Sequence, residues 1–352
     1  MNTKLTAYVG TYTKGDSKGI YRFTLDLETG KIEDITLAAE VENPTYLSID
    51  KENKHLYSIS TTSNAAGIAA YTIKPSTGTL AFINNKLFEG SSRCHVSLDK
   101  SNTFLFSANY HQGEVSVFPL NPDGSLNDPS AIVKHEGAGP NKDRQEKPHV
   151  HYISVTPDEK HICAVDLGID KIMGYDFTNG KLVKSASLTL SLKPGSGPRH
   201  MVFHPNNKFA YVVTELSSEV VALEYITSKS KFEILQYISA LPESFTGESA
   251  GGAIHISPDG RFLYASNRGH DSIAVFRVDQ ATGKLQLIDH TVTQGSHPRD
   301  FAIDPTGKYV LVANMNSNTI VPFLIDQETG KLTQKNEPII IPKAACIRFL
   351  NI

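Results

Sequence analysis

Residues 147–168 read KPHVHYISVTPDEKHICAVDLG. Two short apolar runs, Ile153 to Val155 and Ile162 to Val165, flank the turn sequence TPDEK. Runs of this length, rich in β-branched residues and bounded by a Pro-Asp turn, read as an antiparallel hairpin and not as a helix. His149 and His151 stand at its entrance and Asp166 at its exit. The entrance and exit of an antiparallel hairpin lie side by side. Polar groups placed there in successive copies of one unit would therefore meet on one rim.

The unit does recur. Aligned at the turn, copies start at Thr45 (TYLSIDKENKHLYSIS), Cys94 (CHVSLDKSNTFLFSAN), His151, Arg199 (RHMVFHPNNKFAYVVT), Gly252 (GAIHISPDGRFLYASN) and Arg299 (RDFAIDPTGKYVLVAN), at separations of 49, 57, 48, 53 and 47 residues. Each hairpin is followed by a third apolar run, such as EVVALEY from Glu219 or SIAVFRV from Ser272. A glycine-bearing turn (TNGKL, ATGKL, ETGKL) and a more polar fourth strand come next. A period near fifty with four strands per repeat indicates a β-propeller. The polar fourth strand suits an outer edge, where polar residues discourage pairing with other chains.

Six copies leave the two ends of the chain over. AACIRFLNI from Ala344 resembles a first strand without a successor, and the N-terminal region supplies LTAYVGTY, GIYRFTL and KIEDITL with the turn ETGK. One blade built from both ends completes a seventh. The fold expected is thus all-β: a seven-bladed β-propeller with four antiparallel strands per blade, closed by N- and C-terminal strands, with residues 1–352 forming a single domain.

Composition narrows the function. The formal net charge is −3 and the sequence pI about 6.5, which argues against nucleic acid or an anionic membrane as a partner bound through bulk charge. Cys94, Cys163 and Cys346 are odd in number, widely spaced and set in apolar strand patterns, so they read as small core residues and not as a disulfide or metal framework. The N-terminal MNTKLTAYVGTYT has no apolar signal core and no run reaches membrane-span length, which makes the cytoplasm the expected location. The oligomeric state is not legible. GDSKG from Gly15 and GESAG from Gly247 match a nucleophile-elbow pattern, but both lead into strands and lack the strand–turn–helix setting that the elbow needs.

One rim of such a ring carries tight turns. The other carries the starts of first strands, the ends of second strands and longer loops, and function usually sits on such loops. Reading only those positions yields Arg93, His151, Arg199 and Arg299 at first-strand starts, and Asp166, Glu215 and Arg268 at second-strand ends. Arg144 and His149 lie in the long loop from about His135 to Val150. Arginine grips carboxylates and phosphates bidentately, and histidine moves protons near neutral pH. The set suits a small anionic substrate, a sugar phosphate or a carboxylate, and general acid–base chemistry. The His149/His151 pair lacks a matching third ligand and neighbours arginines, so neither a metal nor any other cofactor is expected.

These motifs resemble the seven-bladed β-propeller lactonase family, which includes propeller-type 6-phosphogluconolactonases and carboxy-cis,cis-muconate cyclase. The likeness runs from YVGTYT and GIYRFTLD to CIRFL, and is most specific in RQEKPHVHYISVTPD, GPRHMVFHP with VVTE, and YASNRGHDSIAVF. It implies an active site of His151 (six residues before the turn Pro157), Arg199 in GPRH, Glu215 in VVTE and Arg268 in SNR. Arg93, Arg144, His149, Asp166 and Arg299 are left as substrate contacts. It also implies hydrolysis of 6-phospho-D-glucono-1,5-lactone to 6-phosphogluconate in the pentose phosphate pathway, with Glu215 or His151 as general base. Another lactonase or a muconate-type lactonising enzyme would use the same residues. A non-enzymatic binding platform would leave the rim charges incidental.

Overall fold

The computed structural model describes residues 3–352. Seven antiparallel sheets are arranged in a ring, and in six of them the strands lie side by side in chain order. Blade 3, which holds the hairpin quoted above, consists of Val150–Val155, His161–Asp166, Lys171–Thr178 and Lys181–Lys184. Blade 4 runs Pro198–Phe203, Phe209–Thr214, Glu219–Ile226 and Lys231–Ser239. First strands of neighbouring blades touch one another, which places them around the axis. Blade 7 joins Ala344–Phe349 to Lys4–Thr11, Gly19–Asp26 and Ile32–Glu40, so the two ends of the chain close the ring as expected. No helix among the described residues is long and apolar enough to cross a membrane.

Two blades depart from the simple plan. In blade 3 the outer strand breaks, and a second piece, Leu190–Ser191, pairs further along the third strand. Gly174 in that third strand leaves a gap which the buried Leu188 fills; a Cβ at Gly174 would lie 2.4 Å from the Leu188 Cβ. In blade 6 the outer strand is also split, between Leu332–Gln334 and Ile339–Ile340. Pro338 lies in the gap and cannot donate to the ladder.

The core is a set of wedges, one between each pair of blades, because each sheet is apolar on both faces. Tyrosines on second strands stitch the wedges together. Tyr57, Tyr211 and Tyr264 donate to the carbonyls of Gly124, Gly283 and Gly330 in the next blade, at 3.0, 3.0 and 2.9 Å. Those glycines therefore answer two demands. Gly283 and Gly330 have φ of +70° and +76°, and a Cβ on either would meet the ring of Phe209 or Phe262 at 2.3–2.4 Å.

The first strands carry an irregularity that shapes the channel. In blade 3, Val150 pairs with Asp166 and Tyr152 with Val165, so His151 is the extra residue of a bulge. Arg199 occupies the same place between Pro198 and His200, and Arg299 between Pro298 and Asp300. A bulge bends its strand and re-aims side chains. Here it turns consecutive residues, which would alternate on a regular strand, toward the axis together.

Closure by the C-terminal strand can be tested at Ile347, fully buried in the wedge between blades 6 and 7. Ile347→Ala should cost about 2–5 kcal/mol in urea unfolding. Val292→Ala, on an exposed outer strand, should stay within about 0.5 kcal/mol of the parent.

Candidate active site

At the loop-bearing end the channel widens into a cavity of about 550 Å³. A second cavity, of about 480 Å³, opens from the opposite end. Tyr46 and His200 line both and form part of the partition between them. The partition is aromatic. Ring centroids lie 4.3 Å apart for Tyr46–His95, 4.4 Å for His95–Tyr152, 5.8 Å for Tyr46–His200 and 5.7 Å for His95–His200. Burial, together with nearby cations, holds His95 and His200 well below the usual imidazole pKa, so these two rings are uncharged.

On that floor sits a compact charge cluster. The Glu215 carboxylate, at the end of a blade 4 second strand, faces three arginines. Its Oε2 lies 3.0 Å from Arg199 Nε and 2.7 Å from Arg268 Nη2, and its Oε1 lies 2.5 Å from Arg144 Nη2. The Arg199 Nε–H does not point at the carboxylate, so that contact is an ion pair without hydrogen-bond alignment. Arg199 and Arg268 are anchored elsewhere by main-chain carbonyls: Arg199 Nη1 donates to Gly252 O at 2.6 Å and Arg268 Nη2 to Gly251 O at 2.5 Å. This Gly-Gly step starts blade 5, where a Cβ on Gly252 would lie 2.3 Å from Ser266 Oγ. A Cβ on Gly251 would lie 2.2 Å from Thr214 O, so the missing side chains let blade 5 approach its neighbours and hold both carbonyls where the arginines reach them.

The charges do not balance. Burial alone would raise the Glu215 pKa, but Arg268 and Arg199, followed by His151 and the Arg144 hydrogen bond, hold it far below the carboxylate range. Burial lowers the Arg199 pKa, and Arg268 and Arg299 push it down further, while Glu215 only partly restores it. Several cations share one carboxylate in a partly dry pocket, and this arrangement favours an added anion. His151, 6% exposed, adjoins the cluster. Burial and then Arg199 lower its pKa well below the ordinary value, and its Nδ1 has no hydrogen-bond partner among the described residues. It is therefore neutral at neutral pH; Nδ1 is shut off from the cavity, so proton exchange with a cavity water would go through Nε2.

The structure brings His151, Arg199, Glu215, Arg268, Arg144 and Arg299 to one cavity wall. It corrects three of the sequence expectations. Asp166 is fully buried away from the cavity: it accepts from the His149 and Gly168 amides at 2.7 and 2.9 Å and pairs with His135 Nδ1 at 2.6 Å. It clamps both ends of the long loop, because His135 starts that loop and His149 finishes it. His149 lies behind the cavity wall, stacked on Tyr110 at 4.3 Å with Nδ1 at 2.9 Å from Tyr110 O. Arg93 borders the cavity, but its guanidinium is directed between Phe88 and Phe118 and bonds Ser107 and Ser116 at 2.9 and 3.3 Å. Cys94, read as a core residue, is half-buried and lines the cavity.

Sequence reading missed Tyr12, Lys14, Tyr46, Tyr110, His200, His297 and Asp300, all on the cavity wall. For His200 and Asp300 a signal existed: Pro198 and Pro298 precede the two arginines. Proline inside a strand pattern marks an edge or a bulge, and a bulge brings the following residue inward. Among the described residues no group of three or more His, Cys, Asp and Glu is placed to hold a metal ion.

A seven-bladed ring with an arginine-bound carboxylate and a neutral imidazole at one mouth agrees with what comparison shows. Residues 6–349 match the family described as "Lactonase, 7-bladed beta-propeller", and the chain belongs to that family. The chain is 48% identical over 349 residues to the 6-phosphogluconolactonase of Bacillus subtilis (strain 168), covering 99% of each. Among solved structures it is similar to a protein from Lactobacillus plantarum (36% identity, TM-score 0.94, 99% and 100% of the two chains). It is also similar to the periplasmic gluconolactonase of Pseudomonas aeruginosa (31% identity, TM-score 0.93, 99% of each chain).

The cluster makes a stability prediction. Glu215→Gln leaves buried Arg199 and Arg268 without their counter-ion and should lower unfolding free energy by about 3–5 kcal/mol in chemical denaturation. Added phosphate should recover part of that loss by binding the folded state.

Proposed function

We propose that this protein hydrolyses a sugar-phosphate lactone, 6-phospho-D-glucono-1,5-lactone, to 6-phosphogluconate, the lactone-opening step of the pentose phosphate pathway. The observation that carries the proposal is the neutral His151 on the wall of a cavity wide enough for one sugar ring, beside a cation-rich cluster. Full-length identity to the Bacillus subtilis enzyme supports the choice of substrate.

The chemistry follows from the charges. His151 takes a proton from a water whose oxygen bonds to the ring carbonyl carbon. Negative charge then develops on the carbonyl oxygen, where Arg199 and Arg268 stabilise it. The intermediate collapses by breaking the bond to the ring oxygen, which receives the proton back from His151. The new carboxylic acid ionises and releases one proton to solvent. Glu215, held ionised by three arginines, is too weak a base to compete for the proton at neutral pH. Its part is to fix the guanidinium planes of Arg199 and Arg268, which are also anchored on the Gly252 and Gly251 carbonyls.

This division of labour separates the site residues experimentally. Purified protein should accelerate opening of the phosphorylated lactone above the spontaneous rate, and His151→Asn should reduce kcat about 10²- to 10⁴-fold. Rates unchanged by both His151→Asn and Arg199→Ala would overturn the assignment. The pH profile gives a second check. Protonated His151 cannot accept a proton, so kcat/KM should fall as pH drops through its pKa in the free enzyme. Because that pKa is depressed, the midpoint should lie below 6.5, the ordinary imidazole value. A midpoint at or above that value would contradict the role given to His151.

A further inference from the structure

Six cationic side chains border the mouth cavity: Lys14, Arg93, Arg144, Arg199, Arg268 and Arg299. Four of them are already committed. Arg144, Arg199 and Arg268 share Glu215, and Arg93 is turned into its blade. The cavity's other carboxylate, Asp300, serves the far side of the partition, where Arg348 Nη1 and His255 Nε2 each lie 3.0 Å from it. Arg299 and Lys14 remain. Among the described residues neither has a carboxylate within 4.0 Å, and neither makes a side-chain hydrogen bond.

These two cations come from adjacent blades. Arg299 is the bulge residue of the blade 6 first strand, and Lys14 stands in the loop between Lys4–Thr11 and Gly19–Asp26 of blade 7. Tyr12, at the start of that loop, lies under the Arg299 guanidinium, 5.3 Å from carbon to ring centroid. Stacking on an aromatic face fixes the plane of an arginine while leaving its in-plane donors free. Arg299 is also close enough to the reaction centre to lower the pKa values of His151 and Arg199. In a 6-phosphorylated 1,5-lactone the phosphate sits on C6, outside the ring and one carbon beyond C5, so it reaches away from the carbonyl toward the wall cations that are not committed to Glu215.

We propose that Arg299, held flat by Tyr12, and Lys14 form the phosphate subsite of the cavity and set the preference for phosphorylated over unphosphorylated lactones. The assignment rests on the lactonase reading for its consequence in turnover, but not for the binding of phosphate itself. It predicts that a dianionic phosphate is gripped by a bidentate arginine fork and a lysine point charge. The reaction centre keeps its own arginines for the oxyanion.

The test has two arms on Arg299→Gln, Lys14→Gln and the double variant, with Arg144→Gln for comparison. In the first arm, kcat/KM is measured on 6-phosphoglucono-1,5-lactone and on glucono-1,5-lactone. The ratio of the two should fall about ten- to a hundredfold in Arg299→Gln, mostly through KM, and further in the double variant. Arg299→Lys should restore part of it. An unchanged ratio, or a fall in the ratio for Arg144→Gln in place of Arg299→Gln, would overturn the proposal. In the second arm, inorganic phosphate is titrated calorimetrically into each protein. Binding to the parent should weaken about tenfold or more in Arg299→Gln. Equal affinity in parent and double variant would overturn the subsite even if no lactone were turned over, whereas absent turnover with intact, Arg299-dependent phosphate binding would count against the lactonase reading alone.

Discussion

An extra residue in the innermost strand of a closed ring has only the channel to enter. The neighbouring blades pack against both faces of every sheet, and each wedge between them is filled by apolar side chains. The bulges at His151, Arg199 and Arg299 therefore push side chains toward the axis from three blades, at one height. The residues that follow them fall just below: Tyr152, His200 and Asp300. With Tyr46 and His95 from blades 1 and 2, they seal the channel. Part of the site and part of the floor thus follow from one repeated irregularity, and the channel is divided into two separate cavities.

The floor matters for the electrostatics above it. The neutral rings beneath the cluster supply no counter-charge and Asp300 is paired with Arg348 and His255, so Glu215 is the carboxylate that contacts Arg144, Arg199 and Arg268. The result is a site that is rigid, because Glu215 and the Gly251 and Gly252 carbonyls fix two guanidinium planes, and also short of negative charge. An anionic substrate supplies what the cluster lacks. Burial, and after it the same excess of cations, keeps His151 unprotonated, which suits a base. Opposite functional demands, holding an anion and accepting a proton, are thus met by one charge distribution. The long loop joins this arrangement through Arg144. Asp166 ties the loop's two ends, and Gln145 Nε2 bonds Leu167 O at 2.8 Å, which leaves Arg144, one residue before it, to reach Glu215.

Much of this was legible in the sequence. The fifty-residue period, the TGKL turns and the orphan strand at Ala344 give the blade count and the way the ring closes. The four residues carried by the family motifs all reach the cavity. What could not be read was direction. Asp166 pairs with Val150 as Thr214 pairs with Pro198, so it stands one residue before the position that Glu215 holds in the next blade, and its carboxylate turns back to amides of its own loop. Reading both as second-strand ends overlooked that offset of one residue, which redirects a side chain. Cys94, not Arg93, holds the position of Arg199, since His95 pairs with Ala108 as His200 pairs with Val213; Arg93, one residue earlier, enters an aromatic slot between Phe88 and Phe118. His200 and Asp300 were hidden by the assumption of strict alternation, which holds along a regular strand and fails at a bulge. Lys14 and Tyr12 lie in a loop of blade 7, and only ring closure brings that loop beside blade 6.

The central claim is that the mouth cavity holds the lactone carbonyl between His151 and the Arg199/Arg268 pair. A crystal structure with 6-phosphogluconate bound addresses it most directly. The account predicts the product's carboxylate within hydrogen-bonding distance of both arginines, with an imidazole nitrogen of His151 facing the same carbon. Product bound in the cavity at the opposite end of the channel, or lying in the mouth with its carboxylate turned away from His151, would contradict it.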